Sequence, residues 1–344
     1  IQVSGEKPVY VHNNILSAGA GHYIYDLGDR VPLIADYNAI WLGAGARVLR
    51  RTVPYDDNPL QFTFLETVGA WVNDSGQDVH SYDGDPMVVN PAAKDFHLRS
   101  QAGRWDPVAL AWTNDLSSSP LIDAGMPTSA SWTNEPIPNG GRVNIGLYGG
   151  TEWASKTATN SALYLLSWNN GGVVTGQVML TWRAAGLATN HTVRLDVSPD
   201  NGDTWVRVAD GLPATLGGVA WNSLSMAPTP VALWRVQDEV EEDIEAISAV
   251  NFVVHNGPIA YYVNDESTDG DIYCSAAGSA SGTGRSPDSP MLWISDVLST
   301  YNVGPGDRIY VDTGRYYRES PTVFRDVDAG AVSQNPAEQV NVIG

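Results

Sequence analysis

The sequence is poor in cysteine, in basic residues and in long apolar runs. Cys274 is the only cysteine among 344 residues, which excludes an internal disulfide framework. Only 19 Lys and Arg face 39 Asp and Glu, giving a formal charge of −20. A protein of that charge repels phosphate backbones, so nucleic acid is excluded as a partner. No run approaches the roughly 18 apolar residues of a membrane span, so we expect no span in this sequence.

The first 50 residues contain short β-type runs separated by turn residues. Each run is only a few residues long and is followed by Gly, Pro or Asp, and helical periodicity is absent. This pattern predicts short stacked strands within residues 8–16, 23–25, 33–41 and 47–49. Asn13 and Asn14 lie inside the first run, where Asn is disfavoured, and we expect them to form hydrogen bonds between successive coils. Residues 62–71 have apolar spacing that favours a short helix.

Three motifs in the middle of the chain carry a resemblance. They are Asp95-Phe-His-Leu98, Ser119-Pro-Leu-Ile-Asp-Ala-Gly125 and Asn144-Ile-Gly-Leu-Tyr-Gly-Gly-Thr151. Their order resembles the end of the helix in pectate-lyase-like right-handed parallel β-helix proteins, which are large extracellular bacterial proteins. The resemblance implies that residues 1–155 form the last rungs and closing segment of such a helix. That fold hosts lyases, hydrolases, adhesins and spacers, so the resemblance alone selects no activity.

The character of the sequence changes after the linker near residue 155. Six strand-like runs follow at fairly regular spacing, and several alternate between apolar and polar residues. They predict a fibronectin-III-like or immunoglobulin-like antiparallel sandwich over residues 156–257, with a seventh strand unassigned. The runs are residues 162–166, 176–182, 191–197, 204–208, 231–236 and 251–254.

One loop of the predicted sandwich, residues 198–205, fits the pattern S-x-D-x-G-x-T-W. It resembles the Asp-box of sialidase-type propellers and other secreted carbohydrate-active proteins. We expect a hairpin in which Asp200 accepts backbone hydrogen bonds, Gly202 adopts a positive φ and Trp205 folds back over the turn that begins at Ser198. The motif occurs once, which excludes a propeller with one box per blade, and its expected role is structural.

The last section, residues 258–344, resembles the N-terminal cap and first rungs of a second parallel β-helix. The resemblance rests on Tyr-Tyr-Val-Asn at 261–264 and on Gly-Asp-Arg-Ile-Tyr-Val at 306–311. Between them, Pro290 is expected at the first position of a short capping helix, with Asp288 or Ser289 as its cap. The apolar stripe of that helix would be Met291, Ile294, Leu298 and Tyr301. The predicted fold class is therefore all-β: parallel β-helix rungs, an antiparallel sandwich and one short C-terminal capping helix.

The stretch richest in side chains suited to acid/base chemistry contains Asp78, His80, Asp83 and Asp85. A His among carboxylates is able to serve as an acid/base pair or a metal site, so His80, Asp83 and Asp85 are the catalytic candidates. The alternative is that these residues bind their own backbone in tight turns. Of the patches expected in a pectin-type hydrolase, only Asp56-Asp57 is present, so no complete catalytic site is predicted.

Two acidic clusters occupy a stretch without Lys or Arg, residues 237–284. Like charges at this density repel, which favours solvated loops. Calcium binding is the alternative, and Ca²⁺ is the only cofactor that the sequence suggests. The candidate calcium ligands are Glu241, Glu242, Asp265, Asp269 and Asp271.

The predicted order of segments runs from the end of one β-helix, through a sandwich, to the start of another. Sites in this fold lie along the middle rungs, which this order mostly omits. The leading hypothesis is a non-catalytic structural or adhesive segment of a long secreted or cell-surface bacterial protein, with polysaccharide or other surface proteins as candidate partners. The alternative is part of a polysaccharide lyase or glycoside hydrolase. The sequence begins at Ile1, and we expect any signal peptide to lie outside it.

The calcium alternative has a thermal test. If the acidic loops are only solvated, millimolar Ca²⁺ added after chelation will leave the melting temperature nearly unchanged. A calcium site would add about 2.7 kcal/mol to the free energy of unfolding when the free Ca²⁺ concentration is 100 times its dissociation constant. A rise of several degrees, lost when Asp269 and Asp271 or Glu241 and Glu242 are replaced by Asn or Gln, would contradict the expected small shift.

Overall fold

The computed structural model describes residues 1–3, 7–28, 32–53, 61–65, 67–158, 161–301, 303–304, 306–317, 322 and 340–344. Over these residues the protein is all-β with two short helices, which confirms the predicted fold class at that level. Asp56 and Asp57 lie outside the described residues.

The chain forms two compact units. Unit 1 contains Ile1–Gly172, Gln177–Asn222 and Leu233–Phe252. Unit 2 contains Val173–Gly176, Ser223–Ala232 and Val253–Gly344. The division into segments 1–155, 156–257 and 258–344 stays a prediction.

Unit 1 begins with nine short strands, and each run predicted between residues 8 and 49 overlaps at least one of them. The strands are β1 (Gln2–Val3), β2 (Val9–His12), β3 (Ile15–Ala18), β4 (Tyr23–Leu27), β5 (Leu33–Asp36), β6 (Ala39–Leu42), β7 (Arg47–Val53), β8 (Gln61–Leu65) and β9 (Tyr82–Asp83). They form three sheets with the orders β1-β4-β7-β8, β2-β5 and β3-β6-β9.

Pairing in these three sheets repeats at a fixed interval. Gln2 pairs with Asp26, Val9 with Leu33 and Ile15 with Ala39, always in parallel and always 24 residues apart. We call each 24-residue repeat a coil. In the third coil the interval is 43 residues, as between Asn38 and Ser81, because an insertion carries β8 and a helix.

The insertion differs from its predicted form. The short helix expected over residues 62–71 is wrong in its first half, because residues 61–65 are the strand β8, paired antiparallel with β7. The helix is α1 (Val68–Ser75), and the Thr67 side chain caps it by accepting a hydrogen bond from the Ala70 N–H. Gly69 lets α1 pack closely, since a Cβ there would lie 2.2 Å from the Trp168 ring.

A buried carboxylate lies at the centre of the coils. Asp78 accepts hydrogen bonds from the Tyr25 hydroxyl and the Trp71 indole, both at 2.9 Å, and from Asn38 Nδ2 at 3.0 Å and Ser81 Oγ at 2.5 Å. Its side chain is 1 % exposed. Two of its donors, Tyr25 and Trp71, belong to the hydrophobic core of the coils.

Asn14 has the role predicted for it. Its Nδ2 donates to Asn38 Oδ1 in the next coil at 3.3 Å, and its backbone N–H donates to the same oxygen. Asn13 differs from its prediction: its φ is 61°, and its Oδ1 accepts a hydrogen bond from the Met126 N–H. The neighbouring asparagines therefore have separate contacts, one between coils and one with residues 95–151, which we call the closing segment.

Two hairpins lie at the start of the closing segment. In the first, β10 (Val88–Asn90), which precedes the segment, pairs with β11 (Asp95–Leu98). In the second, β12 (Arg104–Asp106) pairs with β13 (Ala111–Thr113). Leu121, Ile122 and Ile145 are buried and cluster with Ala39 of β6. The motifs that carried the resemblance thus pack against the coils.

The six strand-like runs predicted between residues 162 and 254 all contain strands. Strands β14–β22 are Ala162–Leu165, Val173–Val174, Gln177–Ala185, Thr192–Ser198, Val206–Pro213, Gly218–Asn222, Thr229–Asp238, Glu245–Ile247 and Phe252–Val254. Two sheets hold most of them: β14-β16-β19, and β20-β17-β18 with β21 paired to β20. Strands β19 and β21 lie outside the six predicted runs.

Unit 2 contains a parallel sheet of three short strands. They are β23 (Ala260–Val263), β24 (Arg308–Val311) and β25 (Asn341–Ile343), in that order. Buried carboxylates flank β24: Asp307 accepts from the Ile259 N–H at 2.7 Å, and Asp312 accepts from four backbone N–H groups, including that of Tyr273 at 2.8 Å.

The predicted capping helix is present but begins later than expected. Helix α2 is Ile294–Thr300, its N-cap is Trp293, and neither Asp288 nor Ser289 caps it. The reason is that Met291 exchanges backbone hydrogen bonds with β23, donating to the Tyr262 carbonyl and accepting from the Asn264 N–H. A residue bound into a ladder has no freedom to enter a helical turn. The expected stripe residues Met291, Leu298 and Tyr301 are nonetheless buried together.

The buried Asp78 has a stability test. We expect Asp78→Asn to lower the free energy of unfolding by about 3 kcal/mol, because an amide cannot accept hydrogen bonds at both positions and leaves buried donors unpaired. Urea denaturation would measure the change. The matched control is Asp74→Asn, since Asp74 is partly exposed and pairs with Arg51 at 2.7 Å, where a loss under about 1 kcal/mol is expected. Equal losses in the two variants would contradict the assignment.

Candidate functional site

Unit 1 contains a cavity of about 330 Å³, which we call the arginine pocket. Its volume falls at the lower end of the range for small-molecule sites. The turns after β5 and before β9, the closing segment, β16 and the loop after β18 contribute its walls. The lining residues are Tyr37, His80, Tyr82, Ala124, Arg142, Ile145, Leu166, Trp182, Arg183, Ala184, Ala214, Thr215, Leu216 and Gly217.

Arg183 of β16 is the most unusual wall residue. It is 9 % exposed, and its guanidinium lies over the Tyr164 ring at 4.5 Å. Its Nη2 donates to the Pro120 carbonyl at 2.8 Å, whereas its Nε has no hydrogen-bond partner among the described residues. Burial lowers the pKa of Arg183 from its ordinary value. A guanidinium is able to bind an anion through its N–H donors, and the Arg183 Nε itself is closed to solvent.

Arg142 supplies a second guanidinium from the closing segment. Its Nη2 donates to the Ala124 carbonyl at 3.0 Å, its Nε donates to the Gly125 carbonyl, and its guanidinium lies 5.2 Å from the centre of the Tyr37 ring. Burial lowers the pKa of this group too. Within the described part of the chain neither Arg142 nor Arg183 forms an ion pair, so the carbonyls fix their position without neutralising their charge.

Asp36 organises another wall of the pocket. Its Oδ1 accepts the backbone N–H groups of Tyr37 and His80, and its Oδ2 lies 2.7 Å from His80 Nδ1. Burial raises the pKa of Asp36, but the hydrogen bonds from His80 outweigh it and hold the pKa below its usual value. The His80 ring stacks on Tyr37 with centroids 4.9 Å apart and planes within 5°. The wall therefore offers flat aromatic faces beside positive charge.

Two further groups set the electrostatics of the pocket. Burial, with a smaller contribution from Asp83, raises the pKa of Tyr82 to about 12, so its hydroxyl stays protonated at neutral pH. Burial also raises the pKa of Asp123, whose oxygens accept hydrogen bonds from Gly140 N–H at 3.0 Å and Thr157 Oγ1 at 2.8 Å. Asp123 is close enough to act electrostatically on both arginines, yet its own hydrogen bonds lie elsewhere.

The three catalytic candidates have separate positions. His80 lines the arginine pocket and is about half exposed. Asp83 is 3 % exposed and accepts a hydrogen bond from Asn170 Nδ2 at 3.3 Å, and burial raises its pKa to about 7. Asp85 is exposed and accepts the Met87 N–H at 2.8 Å, as expected for a turn residue. Asp78, Asp83 and Asp85 act mainly as structural hydrogen-bond acceptors, whereas the His80 N–H donates to Asp36.

The calcium candidates are also dispersed. Asp265 accepts the N–H groups of Ser267 and Arg315, and Asp271 accepts from Asn264 Nδ2. Asp269, Glu241 and Glu242 are exposed. Over the described residues, no group of three or more His, Cys, Asp or Glu side chains is arranged to hold a metal ion.

The turn at residues 198–205 has the geometry that its pattern predicts. Asp200 Oδ1 accepts the Thr204 N–H at 2.8 Å, Gly202 has a φ of 94°, and Ser198 Oγ accepts the Gly202 N–H at 2.7 Å. The turn joins β17 to β18, which pair antiparallel. Arg235 lies over the Trp205 ring at 4.4 Å. These contacts account for the four motif residues as parts of a hairpin.

Sequence reasoning missed most of the arginine pocket. Arg142, Arg183 and Tyr37 come from three distant parts of the chain, and none was predicted as a site residue. One signal was present: Arg183 directly follows the largely apolar run 178–182 of a buried strand, where a charge needs a partner or a ligand. Its convergence with Arg142 depends on tertiary packing.

Asp83 gives the fold a pH dependence. Its pKa in the folded protein, about 7, exceeds its ordinary value of 3.8, so its contribution to stability is complete below about pH 4 and is lost as the pH rises through about 7. We expect Asp83→Asn to match the unsubstituted protein near pH 4 and to exceed its unfolding free energy at pH 8 by at most about 4 kcal/mol. The exposed Asp85→Asn serves as the control in chemical denaturation at both pH values. A pH-independent effect of Asp83→Asn would contradict the burial argument.

Comparison with known proteins gives one partial match. Residues 64–125 match the model of a family described as disaggregatase related. The matched stretch includes the Asp95–Leu98 and Ser119–Gly125 motifs but ends before Arg142, and it does not confirm the resemblance to pectate-lyase-like proteins. Neither the curated proteins nor the solved structures contain a significant match. No helix in the described ranges is long and apolar enough to cross a membrane.

Proposed function

We propose that this chain is a non-catalytic, carbohydrate-contacting segment of a long secreted or cell-surface bacterial protein, and that its arginine pocket binds a carboxylate of an acidic polysaccharide. The observation that carries the proposal is that two guanidinium groups, those of Arg183 and Arg142, line one pocket and that neither forms an ion pair among the described residues. A bound carboxylate would accept hydrogen bonds from these groups and supply the negative charge.

The architecture of unit 1 supports an extended β-helical parent protein. Parallel pairing at 24-residue intervals in three sheets is what successive rungs of a parallel β-helix produce. The parallel sheet β23-β24-β25 in unit 2 supports the corresponding interpretation of residues 258–344. We interpret these ladders as rungs of two pectate-lyase-like helices.

The other walls of the pocket suit a sugar ring. His80 stacks on Tyr37 and is about half exposed, so its outer face would be the surface on which the C–H face of a pyranose packs. The protonated Tyr82 hydroxyl is able to donate to a ring or hydroxyl oxygen. A uronate unit combines the carboxylate that Arg183 and Arg142 would bind with the apolar face that these rings would cover.

An extracellular location fits the composition. A single cysteine and a formal charge of −20 give a chain that needs no disulfide and stays soluble at high concentration of salt. The partial match to a disaggregatase-related family, whose domain is found in bacterial surface-type proteins, supports this location.

A polysaccharide lyase is the second candidate, and His80 is the observation that favours it. Asp36 fixes His80 Nδ1 at 2.7 Å, which leaves Nε2 as the ring nitrogen able to abstract a proton. A neighbouring arginine would stabilise the carboxylate next to the abstracted proton. A catalytic segment would generate unsaturated uronate products from an acidic polysaccharide, and His80→Asn would abolish their formation.

The binding proposal is tested by calorimetry with oligogalacturonates and with neutral dextran fragments. We expect the acidic oligosaccharides to bind and the neutral ones not to bind. Arg142→Gln should weaken binding by about tenfold or more, since charge-assisted hydrogen bonds to a carboxylate are each worth about 1.5–3 kcal/mol. Arg142→Lys should restore part of the affinity, because it keeps the charge but loses the planar donors.

The matched control is Arg51→Gln, which removes one positive charge from a residue paired with Asp74 outside the pocket. It should leave the affinity unchanged, and near-ultraviolet circular dichroism should show that each variant is folded. Equal binding of acidic and neutral oligosaccharides, or equal effects of Arg142→Gln and Arg51→Gln, would overturn the proposal. Product formation by the unsubstituted protein would favour the lyase instead.

A further inference from the structure

Unit 2 contains a second concave surface of different chemistry, a cavity of about 410 Å³. It lies among the residues that follow β23, those that begin α2 and those that follow β24. We call it the aromatic cleft, and its polar and aromatic lining residues are Asp265, Glu266, Trp293, Arg315, Tyr316 and Tyr317. It is separate from the arginine pocket, and all its lining residues belong to unit 2.

Asp265 gives the aromatic cleft a fixed frame. Its Oδ1 accepts the Ser267 N–H and its Oδ2 accepts the Arg315 N–H, both at 2.8 Å, so one carboxylate joins the segments that follow β23 and β24. Gly314 permits this approach, because a Cβ there would lie 2.5 Å from the Asp265 carboxylate. The frame is therefore formed before any ligand binds, which lowers the entropic cost of binding.

Aromatic rings form the other walls. The Trp293 and Tyr316 rings meet edge to face, with centroids 6.4 Å apart and planes at 72°. The Tyr316 hydroxyl donates to the Asp312 carbonyl at 2.8 Å, which fixes that ring. Tyr317 is 78 % exposed, so a large aromatic surface faces solvent. Exposed aromatic area beside fixed aromatic walls favours a ligand with apolar faces.

The charges of the aromatic cleft indicate what charge its ligand carries. Two carboxylates, Asp265 and Glu266, outnumber the single guanidinium of Arg315, which disfavours an anion. A cation would meet Arg315 and would find the Asp265 oxygens already bonded to backbone N–H groups. An uncharged polyol both donates to a carboxylate and accepts from a guanidinium, so it matches this mixture of groups.

We propose that the aromatic cleft binds an uncharged sugar unit of an oligosaccharide, with Tyr317 covering one face of the ring and Glu266 accepting hydrogen bonds from its hydroxyls. The cleft volume accommodates a small-molecule ligand. Because part of the surface is open, the affinity is expected near the millimolar range. The protein would then have two glycan-binding sites, one for an acidic sugar and one for an uncharged sugar.

The test uses saturation-transfer-difference NMR of the full chain with cellohexaose, maltohexaose, mannohexaose and xylohexaose, and with an oligogalacturonate for comparison. We expect at least one neutral hexasaccharide to bind, with signal on its ring protons. Tyr317→Ala should weaken that binding by about tenfold. Glu266→Gln should weaken it by a smaller factor, because the amide keeps one acceptor oxygen.

The matched control is Tyr10→Ala, since Tyr10 is a comparably exposed tyrosine of unit 1, 64 % exposed. Tyr10→Ala should leave neutral-sugar binding unchanged, and so should Arg142→Gln, which separates this site from the arginine pocket. Tyr317 is largely exposed, so its replacement is not expected to disturb folding. Absence of binding by all four neutral hexasaccharides, or equal binding by Tyr317→Ala and the unsubstituted protein, would overturn the proposal.

Discussion

The buried carboxylate of Asp78 is the interaction on which the N-terminal half of unit 1 depends. Its four donors come from four places in the chain: Tyr25 on β4, Asn38 before β6, Trp71 on α1 and Ser81 before β9. An unpaired charge in an apolar interior is strongly unfavourable, whereas one that accepts four hydrogen bonds specifies where each donor must lie. Asp78 therefore fixes the inserted helix against the coils and returns the chain to the register that the insertion interrupted.

The same turn positions the wall of the arginine pocket. Residues 78–83 lie beside residues 35–40 of the preceding coil, because the Asp78 N–H donates to the Ala35 carbonyl and the Tyr82 N–H donates to the Asn38 carbonyl. This register brings His80 to Asp36 and lets its ring stack on Tyr37. The structural carboxylates and the pocket side chains thus alternate within one short stretch. Buried acceptors hold the backbone, and His80 and Tyr82 between them line the pocket.

The arginine pocket and the aromatic cleft differ in whether their charged side chains have partners within the protein. In the pocket, carbonyl oxygens of the closing segment hold Arg142 without neutralising it, and burial keeps water from screening its charge. In the cleft, both oxygens of Asp265 accept backbone N–H groups, so the aromatic rings and the exposed Glu266 are the groups that would contact a ligand. Each site depends on which polar groups are already satisfied by the fold.

The sequence by itself determined the all-β class, the positions of the short strands, the Asn14 contact between coils and the hairpin at Asp200, because these depend on local alternation and turn chemistry. It placed helix α1 too early and α2 with the wrong cap, because β7 pairs with β8 and β23 pairs with Met291, and neither contact leaves a local signal. Only the tertiary structure decided that His80, Arg142 and Arg183 share a pocket while Asp83 and Asp85 do not. The physical reason is that residues far apart in the chain meet through parallel pairing and core packing, and local sequence does not encode those distances.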